Sequence, residues 1–319
     1  MARNVLREQK PLWKRIWLQR SIQCFALAGM VYLIIFNVIP MVGLVISFKD
    51  YHLETGFRGM FTSNWIGFRH FSEFFHEYNF TLLLRNTVMI SVLKLIFTFP
   101  VPIIFAIALN EITNMGIKRV VQTSSYMPYF ISWVVVSGFC ILFLNTQNGI
   151  VNAMLVRFGL VEKPFNFLAN PNVYWTIAVV TGVWKEMGWW AILFLAAITG
   201  IDPELYEAAI IDGAGRIKRI RHITIPCILP TIMVVLILSI GNLFGGSMGG
   251  SNFDQSFLLG NAGNRAASDI IQTYVFRIGL AQGRYDYAAA VGLIQSVVSV
   301  ILIFLSNKIS KQLTGSGLY

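Results

Sequence analysis

Six apolar stretches, each about as long as a lipid bilayer is thick, decide most of what this chain can fold into. They run over residues 24–48, 87–110, 119–144, 174–199, 226–246 and 286–306. A helix needs about 20 mostly apolar residues to cross the hydrocarbon, and a barrel strand only about 9–11. The lengths therefore predict an all-α integral membrane protein with six transmembrane helices. Composition agrees, with 55% hydrophobic and 13% charged residues and a mean hydropathy of +0.64; an ordinary soluble domain is about 25% charged. The fifth stretch is the least clean, because it dissolves into Gly241, Gly245, Gly246, Gly249 and Gly250. A basic N-terminus before an apolar run superficially suggests a signal peptide. However, 24–48 is longer than the apolar core of such peptides, about 7–15 residues, and reads as a retained first span. The expected organisation is an N-terminal arm over 1–23, a transmembrane domain over 24–306 and a tail over 307–319.

Charge orients the spans. Lys plus Arg number 25 against 15 acids, a net +10. In a membrane chain that excess marks cytoplasmic loops rather than a nucleic-acid surface. The arm carries Arg3, Arg7, Lys10, Lys14, Arg15 and Arg20, the 200–225 loop carries Arg216, Lys218, Arg219 and Arg221, and the tail adds Lys308 and Lys311. Basic residues in the opposite loops are spread over much longer sequence. Both termini and the 200–225 loop are expected in the cytoplasm of a bacterial cell. Trp13, Ile16 and Trp17 fall at helical spacing among basic residues, a pattern that suits either an interfacial anchor or a frayed tail. Three cysteines (Cys24, Cys140, Cys227) and four histidines (His52, His70, His76, His222) show neither C-x-x-C nor metal-ligand spacing, so neither a disulfide framework nor a metal site is expected.

The loop between the fourth and fifth spans is the most informative segment. Asp202 is a good N-cap, Pro203 suits the first helical position, and Glu204 favours the positive end of the helix dipole. Leu205, Tyr206, Glu207, Ala208 and Ala209 continue the helix; Gly213 and Gly215 can supply the positive φ that stops it. Ala208 and Ala209 form a small-residue surface that another protein could approach closely. Ile217, Ile220 and Ile223 then fall three apart among basic residues, and Pro226 and Pro230 open the fifth span. Read from local chemistry alone, this could be no more than an amphipathic interfacial loop.

The sequence Glu207-Ala208-Ala209-x-x-Asp212-Gly213-Ala214, followed by Ile223-x-x-Pro226 and Leu229-Pro230, resembles the hallmark loop of binding-protein-dependent ABC importer permeases. Further segments are similar to the carbohydrate-uptake branch, of maltose-transporter type, and most of all to Gram-positive polysaccharide and oligosaccharide importer permeases. They are Trp184-Lys185-x-x-Gly188-Trp189, Leu195-Ala196-Ala197-Ile198, Gly67-Phe68-Arg69-His70-Phe71, Arg85-Asn86-Thr87, Asp269-Ile270-Ile271-x-Thr273-Tyr274 and Ala290-Val291-Gly292-Leu293. The likeness covers about residues 65–310 and departs at Glu186 and at the Gly-rich 245–250 stretch. It implies a type I ABC importer transmembrane domain. It also implies two cytoplasmic ATPase subunits gripping the 203–214 helix, with ATP and Mg on them and no cofactor on this chain. A second, homologous permease would complete a heterodimer, and an external lipid-anchored solute-binding protein would deliver a sugar. The chain itself has no G-x-x-x-x-G-K-[ST] phosphate loop, and no catalytic residues are expected on it.

The rival readings are an ABC permease for a non-sugar solute and a secondary transporter. The latter would be expected to carry intramembrane relays, and Lys94, Lys185 and Glu186 are few for that purpose. An oligosaccharide path needs aromatic walls and a few polar groups. Trp184, Lys185, Asn242 and Gln295 are the candidates, with Lys185 favoured over Glu186 because the related permeases have a lysine there. Neighbouring helical residues point about 100° apart, so Lys185 and Glu186 cannot both line one cavity. The competing role for these polar groups is to hold helices together by hydrogen bonds.

Overall fold

The computed structural model describes residues 13, 17, 19–241, 243, 244 and 252–315. Ile16, Asn242, the 245–250 stretch, most of the 1–23 arm and the end of the tail lie outside the described residues. Among the described residues there are helices and connecting turns but no strand; the extended pairing is a lone bridge between Lys49 and Trp65.

Five helices are long and apolar enough to cross a membrane, and a bent pair supplies a sixth crossing if it is one span. The first unit, Arg20–Phe48, starts as α1 (Arg20–Leu33), passes through a π-helical turn at Ile34–Val38 and tightens into a 3₁₀ turn at Gly43–Phe48. A short helix α2 (Arg69–Phe75) precedes α3 (Phe80–Phe97) and α4 (Pro100–Asn110), which together form the second crossing. The third is α5 (Met115–Phe130) and α6 (Trp133–Leu144). The fourth is the 29-residue α7 (Pro171–Thr199), followed by the small helix α8 (Pro203–Ile211). The fifth unit, Arg216–Gly241, ends in α9 (Ile225–Gly241); α10 (Asn252–Leu259) and α11 (Ile271–Phe276) lead to α12 (Tyr285–Thr314).

Two of these elements differ from the sequence expectation. The continuous apolar run 119–144 is broken, with α5 and α6 meeting at 98°. Ile131 and Ser132 are extended there, and Ser132 starts α6 by accepting a hydrogen bond from the Val135 N–H. Pro128 near the end of α5 has no N–H to offer the preceding turn. The expected 200–225 loop is also shorter, because the fifth unit is helical from Arg216. Its basic residues form the first turns of a spanning helix, and a π-helical turn at Ile220–Thr224 stands just before Pro226. The same arrangement recurs at Ile34–Val38 before Pro40. A widened turn gives the ring room against the carbonyl four residues back, which a regular helix would not.

The helix α7 is the hub. It packs on α3, α4, α5 and α9. Lipid gives helices no hydrophobic reason to associate, so close contact depends on small residues. Ala106 and Ala191, both fully buried, let α4 and α7 approach. Gly188 goes further: a Cβ there would overlap the Ser125 carbonyl of α5. Around the bundle, α12 packs on α9, on α2 and on the 3₁₀ end of the first unit.

Candidate functional site

The loop helix α8 has the ends that its sequence specifies. The Asp202 carboxylate accepts the Glu204 N–H at 3.0 Å and Pro203 occupies the first turn. Gly213 has φ +74°, the Ala214 N–H reaches back to Ala209 O at 2.8 Å, and the Gly213 N–H reaches Ile210 O at 3.0 Å. Those two bonds across a left-handed glycine form a complete Schellman stop.

No residue of α8 is buried. Leu205 is 48% exposed, Ile210 55% and Ile211 86%, and Glu207, Ala208, Asp212 and Gly213 are exposed. Inward contact comes from Tyr206, whose hydroxyl meets Thr224 Oγ1 at 2.9 Å, and from the half-buried Ala209 and Ala214. Nearby, Arg216 Nε stands 3.9 Å from Glu111. A nine-residue helix held mainly by its caps and one tyrosine, with three apolar side chains standing free, has an unsatisfied face.

The second site lies in the bundle, around Trp184-Lys185-x-x-Gly188-Trp189. Lys185 is buried, and its ammonium donates to the carbonyl oxygens of Tyr129 (2.7 Å), Ile131 (2.6 Å) and Pro128 (3.4 Å). They are carbonyls at and just past the end of α5, of which Pro128 O also accepts the Ile131 N–H, and a cation is favoured at that end of the dipole. A charge at mid-membrane costs about 2.5–3.5 kcal/mol on insertion scales unless it is compensated, and here three carbonyls compensate it. Trp189 stacks flat on Tyr129 with centroids 4.4 Å apart, and Gly188 lets the α5 backbone in. The motif is thus a clamp on the bent third span.

Of the four residues expected to share a path, the three described are not brought together. Lys185 closes the bend. Trp184 stands in the wall of an apolar hollow of about 580 Å³ between α6 and α7, with Phe139, Phe143 and Val180. Gln295 lies on α12 with its buried Nε2 unpartnered. Asn242 is outside the described residues. A different polar cavity, of about 60 Å³, forms where α3, α4, α7, α9 and α10 meet. Lys94, Thr98, Glu186, Trp190, Ser239 and Asn252 line it. In the sequence Lys94 and Glu186 stand, with Lys185, as intramembrane charges few for a relay. Their companionship depends on which faces of α3 and α7 meet, which periodicity does not specify.

The remaining polar motif residues build a frame where the first turns of α3 and α12 meet the segments 67–79 and 264–284. Asn86 is fully buried and donates to the carbonyls of Ala266 (3.1 Å) and Asp269 (2.9 Å); Arg85 also reaches Ala266 O at 2.7 Å. Thr87 Oγ1 accepts the Ile271 N–H at 3.0 Å. Asp269 takes a two-pronged bond from Arg277 (3.2 and 2.7 Å) and one from Thr273 (2.8 Å). On the other side, His70 Nε2 lies 3.1 Å from Asp286, and Arg284 grips Glu73 at 2.6 and 2.8 Å. Among the described residues, no group of three or more His, Cys, Asp or Glu gathers as a metal site.

Comparison with known proteins places this arrangement. Residues 98–314 match the family model described as "Binding-protein-dependent transport system inner membrane component". The chain is 43% identical to Protein LplB of Bacillus subtilis (strain 168) over 91% of its own length and 88% of that protein. It is 40% identical to the polygalacturonan/rhamnogalacturonan transport system permease protein YteP of the same organism, over 98% of itself and 94% of YteP. A crystal structure of a bacterial alginate ABC transporter, in complex with an alginate pentasaccharide-bound periplasmic protein, contains a chain that superposes with a TM-score of 0.86 at 36% identity. That superposition covers 97% of this chain and 100% of the other.

Proposed function

The chain belongs to the family of binding-protein-dependent transport system inner membrane components, and from that premise we propose that it is one half of the translocation path of an ATP-driven importer of oligosaccharides. The observation that carries the reading is α8, a well-capped helix with a free apolar face, set between the fourth and fifth crossings. A cytoplasmic ATPase subunit would pack on the exposed Leu205 and Ala208, with the half-buried Ala209 and Tyr206 backing them on the bundle side. Glu207 and Asp212 would fix orientation, and the Gly213–Ala214 turn would fix the exit. Two such ATPases would carry ATP and Mg. A homologous second permease would complete the path, and a lipid-anchored binding protein would deliver the sugar. Both termini and the 200–225 segment would face the cytoplasm, as the Lys and Arg distribution favours.

The sugar assignment is supported by the relatives, which include a polygalacturonan/rhamnogalacturonan permease and an alginate importer chain. Of the candidate path residues, Trp184 keeps a free face on α7, being 42% exposed. Lys185 is committed to the bend.

The test is reconstitution. Complexes purified with this chain from their native membrane should take up an oligosaccharide only with ATP and the binding protein, and the chain alone should be inert. Solute exchange or ion conduction by the chain alone would mark it as a secondary carrier or channel.

A further inference from the structure

Four polar atoms around the 60 Å³ cavity are buried without a hydrogen-bond partner: Lys94 Nζ, Thr98 Oγ1, Glu186 Oε1 and Asn252 Oδ1. Lys94 is 6% exposed and Glu186 2%. The Lys94 stem runs over Gly182, where even a Cβ would come within 3.4 Å of its Cε, and its ammonium stands 5.7 Å from the Trp133 ring. The opposite wall is apolar, with Phe99, Pro102 and Phe194. An ammonium and a carboxylate left bare in such surroundings would each cost several kcal/mol. Among the described residues they make no ion-pair contact with each other, and neither Lys94 Nζ nor Glu186 Oε1 has a hydrogen-bond partner.

Size and charge select the occupant. Binding pockets for small organic ligands run to about 300–1,000 Å³, so a sugar ring does not fit. A cation would face Lys94 and an anion would face Glu186. Water is neutral, donates and accepts, and matches the wall: Lys94 offers protons, Glu186 and Asn252 accept them, and Thr98 does either. The volume holds about two to four water molecules. We propose that this cavity is a water-binding site, and that its water completes a Lys94–Glu186 ion pair tying the second crossing to the fourth. Since α7 runs through Gly200 into α8, the tie fixes α3 to the helix nearest the loop. This assignment concerns the bundle interior and is independent of which solute the protein carries.

The experiment is synchrotron hydroxyl-radical labelling of the native complex in lipid nanodiscs, read by mass spectrometry. Radicals form from water where it is bound, so Trp190 in the cavity wall should label several-fold faster than Tyr174, 2% exposed in the apolar core. The Lys94→Met/Glu186→Leu double variant should lose that excess, and Lys94→Arg should keep it. Trp190 labelling no faster than Tyr174 in the unmodified protein means a dry cavity and overturns the proposal. Melting of the same complexes tests the tie. Each single neutralisation should lower the midpoint, and the double variant should recover most of the loss. A double variant that falls by the sum of the two singles has no pair to lose, and that result also overturns the proposal.

Discussion

The polar frame formed by residues 67–87 and 264–287 and the loop helix α8 are both built from motif residues, yet they spend them differently. In the frame, Asn86, Thr87, Asp269, Thr273 and Arg277 bond to one another or to carbonyls of the same chain. Their presence is explained without any other protein. In α8, the caps are satisfied internally, while Glu207, Ala208 and Asp212 stand exposed and Ile211 is almost fully open. A buried polar group is costly unless paired, and a surface one is nearly free. Frame residues are therefore held in place by this chain's own stability. An exposed acid gains little for the fold, and under the proposed function Glu207 and Asp212 would act on a partner.

The sharpest way to break this contrast is to damage each region and read folding and transport separately. Asn86→Leu removes both donors from a site with no water access, stranding Asp269 O and weakening the hold on Ala266 O. The expected cost is roughly 2–4 kcal/mol, seen as a large fall in folded protein and in the melting midpoint. An unchanged midpoint would mean that the frame is not a stability element. Gly213→Val should do the reverse. A β-branched residue at φ +74° costs about 1–2 kcal/mol, confined to an exposed turn. The protein should reach the membrane at near-normal level, while transport-coupled ATP hydrolysis drops at least about tenfold, which equals a loss of roughly 1.4 kcal/mol in coupling. Normal coupling in that variant would remove α8 from the mechanism.

The two regions were also unequally legible. The stops of α8 are written within a dozen residues: an Asp-Pro start and a Gly213 that the structure finds at positive φ, closing a Schellman bond to Ala209. Capping is local chemistry, so sequence carries it. The spans were legible as lengths of apolar sequence, for hydropathy measures cost of transfer into lipid. The break at Ile131–Ser132 was not, since both flanks are apolar and the cue is reduced to Pro128 and a serine cap. The resemblance puts Lys185 on a path, because the related permeases have a lysine there. Its true surroundings are the carbonyls of a bend more than fifty residues earlier in the chain, and no local pattern encodes them. The Lys94–Glu186 cavity escaped for the same reason.

A smaller effect joins the two regimes within α8 itself. Tyr206 ties the helix to Thr224 through one hydrogen bond that is partly exposed. Tyr206→Phe keeps the ring and deletes the hydroxyl, at an expected cost of about 0.5–1.5 kcal/mol. Because the caps remain, the melting midpoint should move only slightly. ATP hydrolysis should continue with fewer solutes moved per ATP, since the helix can tilt against its own bundle. An unchanged transport-to-hydrolysis ratio would show that the caps alone hold α8.

The smallest expected effect lies in the frame, at the Glu73–Arg284 contact. The hydrogen bonds from Arg284 hold the Glu73 carboxyl below its ordinary value of 4.5, against a partial desolvation that pushes the other way. A carboxylate whose folded pKa is depressed stabilises the fold above its unfolded value, and the gain is lost as pH falls through the folded one. The contribution should therefore be complete at neutral pH, begin to fade near 4.5 and vanish below the depressed value. Both side chains are about two-fifths exposed, so screening by solvent limits it to under about 1 kcal/mol. Glu73→Gln keeps the shape and removes the titration. The difference in melting midpoint between parent and variant should be small and flat around neutrality, then shrink on acidification. His70, whose Nδ1 lies 3.8 Å from Glu73 Oε2, and Asp286 are present in both proteins. A gap that widens as pH falls has the wrong sign for a depressed carboxylate. It would mean that the frame at this corner is held by the His70–Asp286 contact and the packing of α2 on α12 rather than by the arginine.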